Sequence, residues 1–262
     1  VRLADAVLAA GAKYSASVWD PASVDALAGK VAFFKVGSGD LTAVPLLRQL
    51  AATGKPILLS TGLATLAEVR AAVDCIRTAN PDYSMPGQLA VLQCTTSYPT
   101  IDSEVNLRVM DTLKSATALP VGYSHHVADV LPLLIAAARG AEILEFHFTD
   151  QREGRSFRDH AISLTAPQLV RLIQDLGRIE TLLGSSEKRP TAGELAQDHL
   201  RSFRRALYSR RALSAGEIVQ SDDLVCLRPL SGVDARDCDL VAGRPVLVDT
   251  PAFGALSLGD LP

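Results

Sequence analysis

Two histidines, His126 and His147, lie near the carboxyl ends of two consecutive apolar segments, Pro120–Ser124 and Ile143–Thr149. Both segments have the composition of buried strands, and neighbouring parallel strands end at the same edge of a sheet. We therefore expect the two imidazoles to lie near each other. Imidazole nitrogens suit manganese, zinc or iron, so the pair could hold a divalent metal ion. The residues alone leave open a pair of hydrogen-bonded structural histidines.

The last of these segments carries polar residues at every second position. Because side chains alternate along a strand, Glu145, His147 and Thr149 share one side, which we expect to face a polar interior. The other side is apolar and is predicted to pack against helices: Leu144, Phe146 and Phe148.

Lys35 stands inside another apolar strand, Phe33–Val36, where a lysine needs a polar environment. It could be a Schiff-base nucleophile or a clamp for an anion. A buried ion pair is the structural alternative. Ser38, Ser60 and Ser124 lie at the carboxyl ends of strand-like runs, and their hydroxyls could hold phosphate oxygens together with backbone N–H groups.

These residues require a frame of alternating strands and helices. Six strands are predicted: Lys13–Trp19, Val31–Ser38, Pro56–Thr61, Leu89–Thr96, Pro120–Ser124 and Ile143–Thr149. Amphipathic stretches predict helices: Leu3–Ala12, Ala43–Ala52, Leu66–Thr78, Val105–Lys114, Val127–Arg139 and Ala166–Leu183. Alternation of this kind predicts a parallel α/β sheet.

The position of the polar residues favours a closed sheet. Gly37-Ser38-Gly39 is too short for the glycine-rich turn of a dinucleotide-binding fold, whereas polar residues gather at strand ends, as at the mouth of a TIM-type (β/α) barrel. A closed barrel needs eight strands, so we expect the first two strand–helix units to be lacking, through fragmentation or a late assigned start. The predicted organisation is a barrel at 1–183, a linker with a short helix at 184–200 and a small β-rich domain at 201–262.

Composition narrows the functional class. The 262 residues are 48% hydrophobic, which excludes disorder, and the net charge of −3 gives no basic footprint for nucleic acid. No apolar run has the ~18 residues that cross a membrane. The four cysteines, without CxxC spacing, are expected to be reduced and mostly buried thiols of a cytoplasmic protein.

Several motifs, taken in order, resemble the sialic acid synthase family: Phe34–Asp40, Leu58–Gly62, Cys94–Pro99, Val121–His126, Glu145–Thr149 and Asp159–Leu164. The tail is similar to the antifreeze-like (SAF) domain of that family, in Phe203–Tyr208, Ala215–Glu217 and Leu227–Pro229. The resemblance covers nearly the whole chain.

The resemblance implies an enzyme that condenses phosphoenolpyruvate with an N-acyl amino sugar, such as N-acetylmannosamine, giving a nonulosonic acid and phosphate. It implies that His126 and His147 hold a divalent metal, usually manganese, with magnesium or cobalt as alternatives. The metal would polarise the sugar aldehyde as a Lewis acid. The resemblance also implies a domain-swapped homodimer, in which Arg228 of one subunit reaches the sugar in the other.

The resemblance further implies a role for each matching position. Lys35 is expected in catalysis. Phosphoenolpyruvate is expected at Lys35, Ser38, Ser60 and Ser124, and the sugar at Asp40 and Tyr98. The lacking units would carry a further Lys and a Glu of the site.

Four positions depart from the family pattern: the first concerns a carboxylate that could orient a ligand histidine, and the last three bear on the identity of the sugar. His125 stands where the family has Asp, Asp40 replaces Glu, Thr96 replaces Asn, and Phe157-Arg158 replaces Gly-Pro. The pathway therefore stays open among sialic, legionaminic and pseudaminic acids. Two alternatives remain: another phosphoenolpyruvate-dependent 3-deoxy keto acid synthase, and a degenerate, non-catalytic sugar-binding homologue.

Overall fold

The computed structural model describes residues 2–257 and 259, which form two compact units. The first unit ends at Gly184 and the second begins at Ser185. Over the described residues, no helix has both the length and the apolar character needed to cross a membrane.

The first unit is built on one parallel sheet of six strands that are paired in sequence order. The strands are β1 (Ser15–Ser17), β2 (Phe33–Val36), β3 (Ile57–Ser60), β4 (Leu89–Cys94), β5 (Val121–His125) and β6 (Leu144–Phe146). Every predicted strand is present: β1, β2, β3 and β6 are shorter than predicted at both ends, and β4 is shorter at its carboxyl end only. Strand β5 begins one residue later and runs one residue further at its carboxyl end. Because all strands run in the same direction, their carboxyl ends form a single rim.

Eight helices accompany the sheet in the described part of the first unit. They are α1 (Arg2–Ala9), α2 (Pro21–Leu27), α3 (Val44–Ala52), α4 (Leu66–Ala79), α5 (Val109–Thr117), α6 (Leu131–Ala138), α7 (Asp159–Ile162) and α8 (Ala166–Leu183). Gly54 and Gly140, which follow α3 and α6, have φ of 68° and 88°, the left-handed conformation that glycine favours at the end of a helix. The predicted start of α5 at Val105 was wrong, because a 3-10 turn and the left-handed Asn106 precede the helix.

The sheet curls strongly. Lys35 on β2 and Glu145 on β6 are four strand spacings apart, roughly 19 Å in a flat sheet, yet Lys35 Nζ lies 3.3 Å from Glu145 Oε1. The outer face is covered by helices and contains the main core, with Phe34, Leu59 and Val91 fully buried. The six strands therefore form a curled half-barrel of the predicted TIM type, with β1 and β6 at its edges.

Strand β6 ends earlier than its sequence pattern indicates. After Phe146 the backbone pairs with an irregular segment instead: Leu164 N donates to His147 O and Thr149 N donates to Leu164 O. Phe148 is consequently 55% exposed and does not pack against helices as predicted. Thr149 is buried, but its hydroxyl bonds to Gln151 O at 2.8 Å and does not line the barrel interior.

The second unit is small and irregular. It contains α9 (Ala192–Ala196), α10 (His199–Phe203) and an antiparallel pair of strands, β7 (Ala206–Ser209) and β8 (Leu224–Leu227). A separate core of small aliphatic side chains holds it together: Leu207, Leu213, Val219, Val233, Val241, Val246 and Leu256.

The cysteines differ in exposure. Cys94 is buried, Cys75 and Cys238 are partly buried, and Cys226 is exposed. The prediction of mostly buried thiols was therefore wrong. Cys226 lies on β8, where one face of a two-stranded sheet remains open to solvent.

Candidate active site

A cavity of about 410 Å³ opens at the carboxyl ends of the strands and is lined by residues from or just after all six of them. It brings together eight of the nine residues predicted to act: Lys35, Ser38, Asp40, Ser60, Tyr98, Ser124, His126 and His147. The ninth, Arg228, belongs to the second unit.

Lys35 supplies a cation inside this cavity. Its strand neighbours Phe34 and Val36 are buried in the core, so alternation turns Lys35 inward. The lysine side chain is 13% exposed and pairs with Glu145, a residue that the strand pattern placed inside the barrel. The ion pair that the sequence left open as an alternative is therefore present, and it keeps a charged amine at the cavity wall.

Gly62 packs closely against the cavity. Its N–H donates to Ser38 Oγ at 3.0 Å, joining the loops that follow β2 and β3. A Cβ at this position would overlap Thr96 Oγ1 and lie 2.7 Å from Ser38 Oγ. Only glycine fits here, and the Ser38 hydroxyl, which accepts from this N–H, keeps its own proton to donate.

Two buried hydroxyls of the cavity, Ser60 Oγ and Thr96 Oγ1, have no hydrogen-bond partner within the described residues. A buried polar group without a partner costs about 1–3 kcal/mol, so such groups are rare unless they serve a ligand. Ser60 was predicted as a binding residue, whereas Thr96 was noted in the sequence only as a departure. Together they indicate a polar ligand at this wall.

His126 and His147 lie side by side, with ring centroids 5.3 Å apart. His126 Nδ1 is 2.9 Å from Thr95 O, and His147 Nδ1 is 3.6 Å from Asp159 Oδ2. Oxygen acceptors at Nδ1 favour the tautomer whose lone pair is on Nε2. Burial lowers the pKa of both histidines, which favours the neutral rings that bind metals.

The pair fits a divalent metal as two of its ligands. Both rings can offer Nε2 while a backbone carbonyl and a carboxylate orient them, as second partners of metal-bound histidines do. The described residues contain no group of three or more His, Cys, Asp or Glu arranged to hold a metal. Any further ligands would come from water, substrate or parts of the protein outside the described residues.

Tyr98 covers the histidine pair. Its ring centroid lies 4.1 Å from that of His126 and 5.9 Å from that of His147. Burial raises the pKa of the Tyr98 hydroxyl, so the ring stays neutral. The Arg158 guanidinium carbon lies 4.5 Å from the Tyr98 ring centroid, a contact that no sequence pattern indicated.

His125, the unusual neighbour of His126, is 1% exposed. Its Nδ1 is 3.4 Å from the Tyr123 hydroxyl, and its Nε2 has no partner within the part of the chain described. Burial lowers the pKa of His125 to about 4, so the ring is neutral near pH 7. It cannot supply the negative charge of a carboxylate at this position.

Arg228 follows β8 in the second unit. Its guanidinium carbon lies 5.5 Å from the Phe203 ring, and its peptide bond to Pro229 is cis.

Comparison with known proteins matches residues 1–188 to the NeuB family and residues 204–252 to the SAF domain. N,N'-diacetyllegionaminic acid synthase of Legionella pneumophila is 35% identical, over 92% of this chain and 67% of that protein. Human N-acetylneuraminate-9-phosphate synthase is 30% identical, over 91% of this chain and 65% of that protein. This chain thus spans about two thirds of the length of these relatives.

A solved structure gives the same likeness in three dimensions. The N-acetylneuraminic acid (sialic acid) synthetase of Leptospira borgpetersenii, in complex with citrate, matches with a TM-score of 0.62 and 30% identity. The match covers 70% of this chain and 62% of that one.

Proposed function

Because the chain belongs to the NeuB family, we propose that its protein condenses phosphoenolpyruvate with an N-acyl amino sugar, releasing phosphate and a nonulosonic acid. The observation that carries the proposal is one cavity that combines an inward lysine, unpartnered hydroxyls and a pair of neutral histidines. Both curated relatives compared above are named as synthases of such acids.

Phosphoenolpyruvate would occupy the wall formed by Lys35, Ser38, Ser60 and Ser124. The substrate carries up to three negative charges, and charge-assisted hydrogen bonds from Lys35 Nζ suit its phosphate or carboxylate. The unpartnered Ser60 hydroxyl would gain the partner it lacks. Before the substrate binds, the ion pair with Glu145 holds the Lys35 amine at the cavity wall. On binding, this amine would exchange part of its contact with Glu145 for a contact with the substrate.

His126 and His147 would hold the metal through Nε2, with manganese, magnesium or cobalt suited to a site completed by oxygen ligands. When bound, such an ion supplies Lewis acidity toward the aldehyde of an open-chain sugar. Thr95 O and the Asp159 carboxylate keep both imidazoles in the required tautomer.

The acceptor sugar would lie between Asp40 and Tyr98, which face the cavity from the loops after β2 and β4. Arg228 would act in the same reaction from the second unit of a partner subunit, in a domain-swapped homodimer. An N-acyl hexosamine or a related dideoxy sugar is the class of acceptor proposed.

The test measures phosphate release by the full-length protein from phosphoenolpyruvate and manganese, with and without N-acetylmannosamine or a diacetylated dideoxy hexose. Release that depends on an added sugar is expected. Failure with every sugar would refute the synthase proposal.

The metal site is tested in the same protein by elemental analysis after gel filtration. His126→Ala and His147→Ala are expected to lose bound manganese. His199→Ala is the matched control, because His199 belongs to the second unit and stacks only on Phe203 within the described contacts. Unchanged manganese in the first two variants would refute the ligand pair.

A further inference from the structure

Arg158 joins two loops at the rim of the cavity. It lies between β6 and α7, and its side chain is 67% exposed. Its guanidinium nevertheless stacks on the Tyr98 ring at 4.5 Å, while its Nε lies 3.3 Å from Asp159 Oδ1. An exposed arginine with no role would be expected to extend into solvent and keep its rotamer freedom.

Each of the two groups that Arg158 contacts also touches one of the paired histidines. The Tyr98 ring lies 4.1 Å from the His126 ring, and Asp159 Oδ2 lies 3.6 Å from His147 Nδ1. A continuous set of contacts therefore runs from His126 through Tyr98, Arg158 and Asp159 to His147. The two ends of this chain of contacts meet again directly, at 5.3 Å between the imidazole centroids.

We propose that Arg158 is a positioning residue for the acceptor side of the cavity, which holds the Tyr98 ring and the Asp159 carboxylate in register over the two histidines. The proposal rests on the proposed function for its kinetic consequence only. Arg158 fixes the orientation of the ring against which the sugar would lie, and it need not touch phosphoenolpyruvate.

The guanidinium is the group suited to this task. Its planar face stacks on an aromatic ring while an edge N–H donates to a carboxylate, and an ammonium group offers only a point charge. Either contact alone is weak at an exposed site. Arg158 acts through both at once, so that losing it releases two loops together.

The direct test is the NMR spectrum of histidine-labelled protein, which has five histidines, with diamagnetic magnesium in place of manganese. The stacked Tyr98 ring shifts the ring protons of His126 through its ring current. In Arg158→Ala these resonances are expected to move toward those of an unstacked imidazole, and in Arg158→Lys to move part of the way. The His126 ring resonances are assigned as the peaks that disappear from the spectrum of His126→Gln.

Arg155→Ala is the matched control. Arg155 lies in the same loop and pairs with Asp150 at 2.6 Å, and no contact with Tyr98 or Asp159 is recorded for it within the described residues. Its substitution should leave the His126 resonances in place. Thermal unfolding of all variants checks that a shift reflects local change.

The kinetic test uses the full-length protein with N-acetylmannosamine or whichever sugar of the panel supports phosphate release. Arg158→Ala should raise KM for the sugar about two- to fivefold, the factor that an exposed cation–π contact contributes. KM for phosphoenolpyruvate should stay the same, and Arg158→Lys should recover part of the loss.

The outcomes separate the two proposals. If the wild-type protein releases no phosphate with any sugar, the proposed function fails, and the NMR comparison still decides the role of Arg158. If the His126 resonances are identical in wild type and Arg158→Ala, the positioning role is overturned. Equal rises in KM for both substrates would also overturn it.

Discussion

Replacing Gly62 by alanine tests the construction of the anion-binding wall. The φ of Gly62 is not in the left-handed region, so space alone decides the effect of a methyl group. That methyl group would overlap Thr96 Oγ1 and approach Ser38 Oγ to 2.7 Å, below the 3.0 Å that real Cβ contacts keep.

The cost follows from these contacts. Ser38 Oγ must retreat by at least a few tenths of an ångström, and Thr96 must rotate or move its backbone. Overpacking of this kind costs about 1–3 kcal/mol, and weakening the bond from Gly62 N–H to Ser38 Oγ adds about 1 kcal/mol. We expect the free energy of unfolding to fall by about 2–4 kcal/mol.

Phosphoenolpyruvate affinity should fall as well, because Ser38 and Thr96 both border the cavity. Loss of one hydrogen bond to a charged ligand corresponds to about 1.5–3 kcal/mol, roughly ten- to a hundredfold in Kd. The assays are urea unfolding followed by circular dichroism and calorimetric titration with phosphoenolpyruvate.

Gly39→Ala is the matched control, because Gly39 also borders the cavity but a Cβ there meets nothing within 4 Å. Combining Gly62→Ala with Thr96→Ala removes the overlapping oxygen. The double variant should recover about 1 kcal/mol or more of the free energy of unfolding relative to the sum of the two single changes, which is the coupling energy of the pair. The reasoning is refuted if Gly62→Ala unfolds at the same urea concentration as Gly39→Ala and binds phosphoenolpyruvate equally well.

Three further predictions concern single groups. Lys35→Met should weaken phosphoenolpyruvate binding about ten- to a hundredfold by calorimetry, since a charged hydrogen bond is lost; undiminished affinity would exclude Lys35 from the anion site. Asp159→Asn should weaken manganese binding about tenfold in a chelator competition, because His147 loses its carboxylate partner, whereas Asp150→Asn should not; equal affinities would count against the orienting role. Tyr83 donates to Lys55 O, and burial raises its pKa to about 12. The folded state therefore keeps a proton that the unfolded state loses near pH 10, so wild type should lose about 3 kcal/mol of stability between pH 10 and 12. Tyr83→Phe should lack this decline in urea titrations, and a parallel decline in both proteins would contradict the assignment.

The frame of the first unit could be predicted from sequence because its signals are strong and local. Strands β3 and β4 are buried and mainly apolar, and parallel strands covered by helices have this composition. The rim followed from the polar residues at strand ends. The proximity of His126 and His147 followed from their positions after neighbouring strands, and the structure confirms that proximity.

Short elements and their ends could not be predicted in this way. Helix α2 has only seven residues and depends on an Asp20 cap, whose carboxylate accepts from Ser23 N at 2.9 Å. The end of β6 depends on pairing with Leu164, seventeen residues after His147. Such pairing is set by tertiary contacts that periodicity does not encode.

Parts of the site depend on tertiary contacts that the sequence does not reveal. That Thr96 has a buried hydroxyl without a partner is a property of its surroundings, not of its residue type. The stacking of Arg158 on Tyr98 joins residues sixty positions apart. The sequence marked both positions only as departures from a family pattern, which located them but did not explain them.

The residues around the cavity stand on two kinds of structural element, and this difference affects how the protein could come to accept new acceptor sugars. Lys35, Ser60 and Ser124 project from the strands, where a change disturbs the core packed behind the sheet. Tyr98, Arg158 and Asp159 stand beyond the strand ends. Mutations can therefore reshape the side of the cavity that would receive the sugar, while the side that would bind phosphoenolpyruvate stays unaltered. A single scaffold could in this way diversify its products by substitution in two loops.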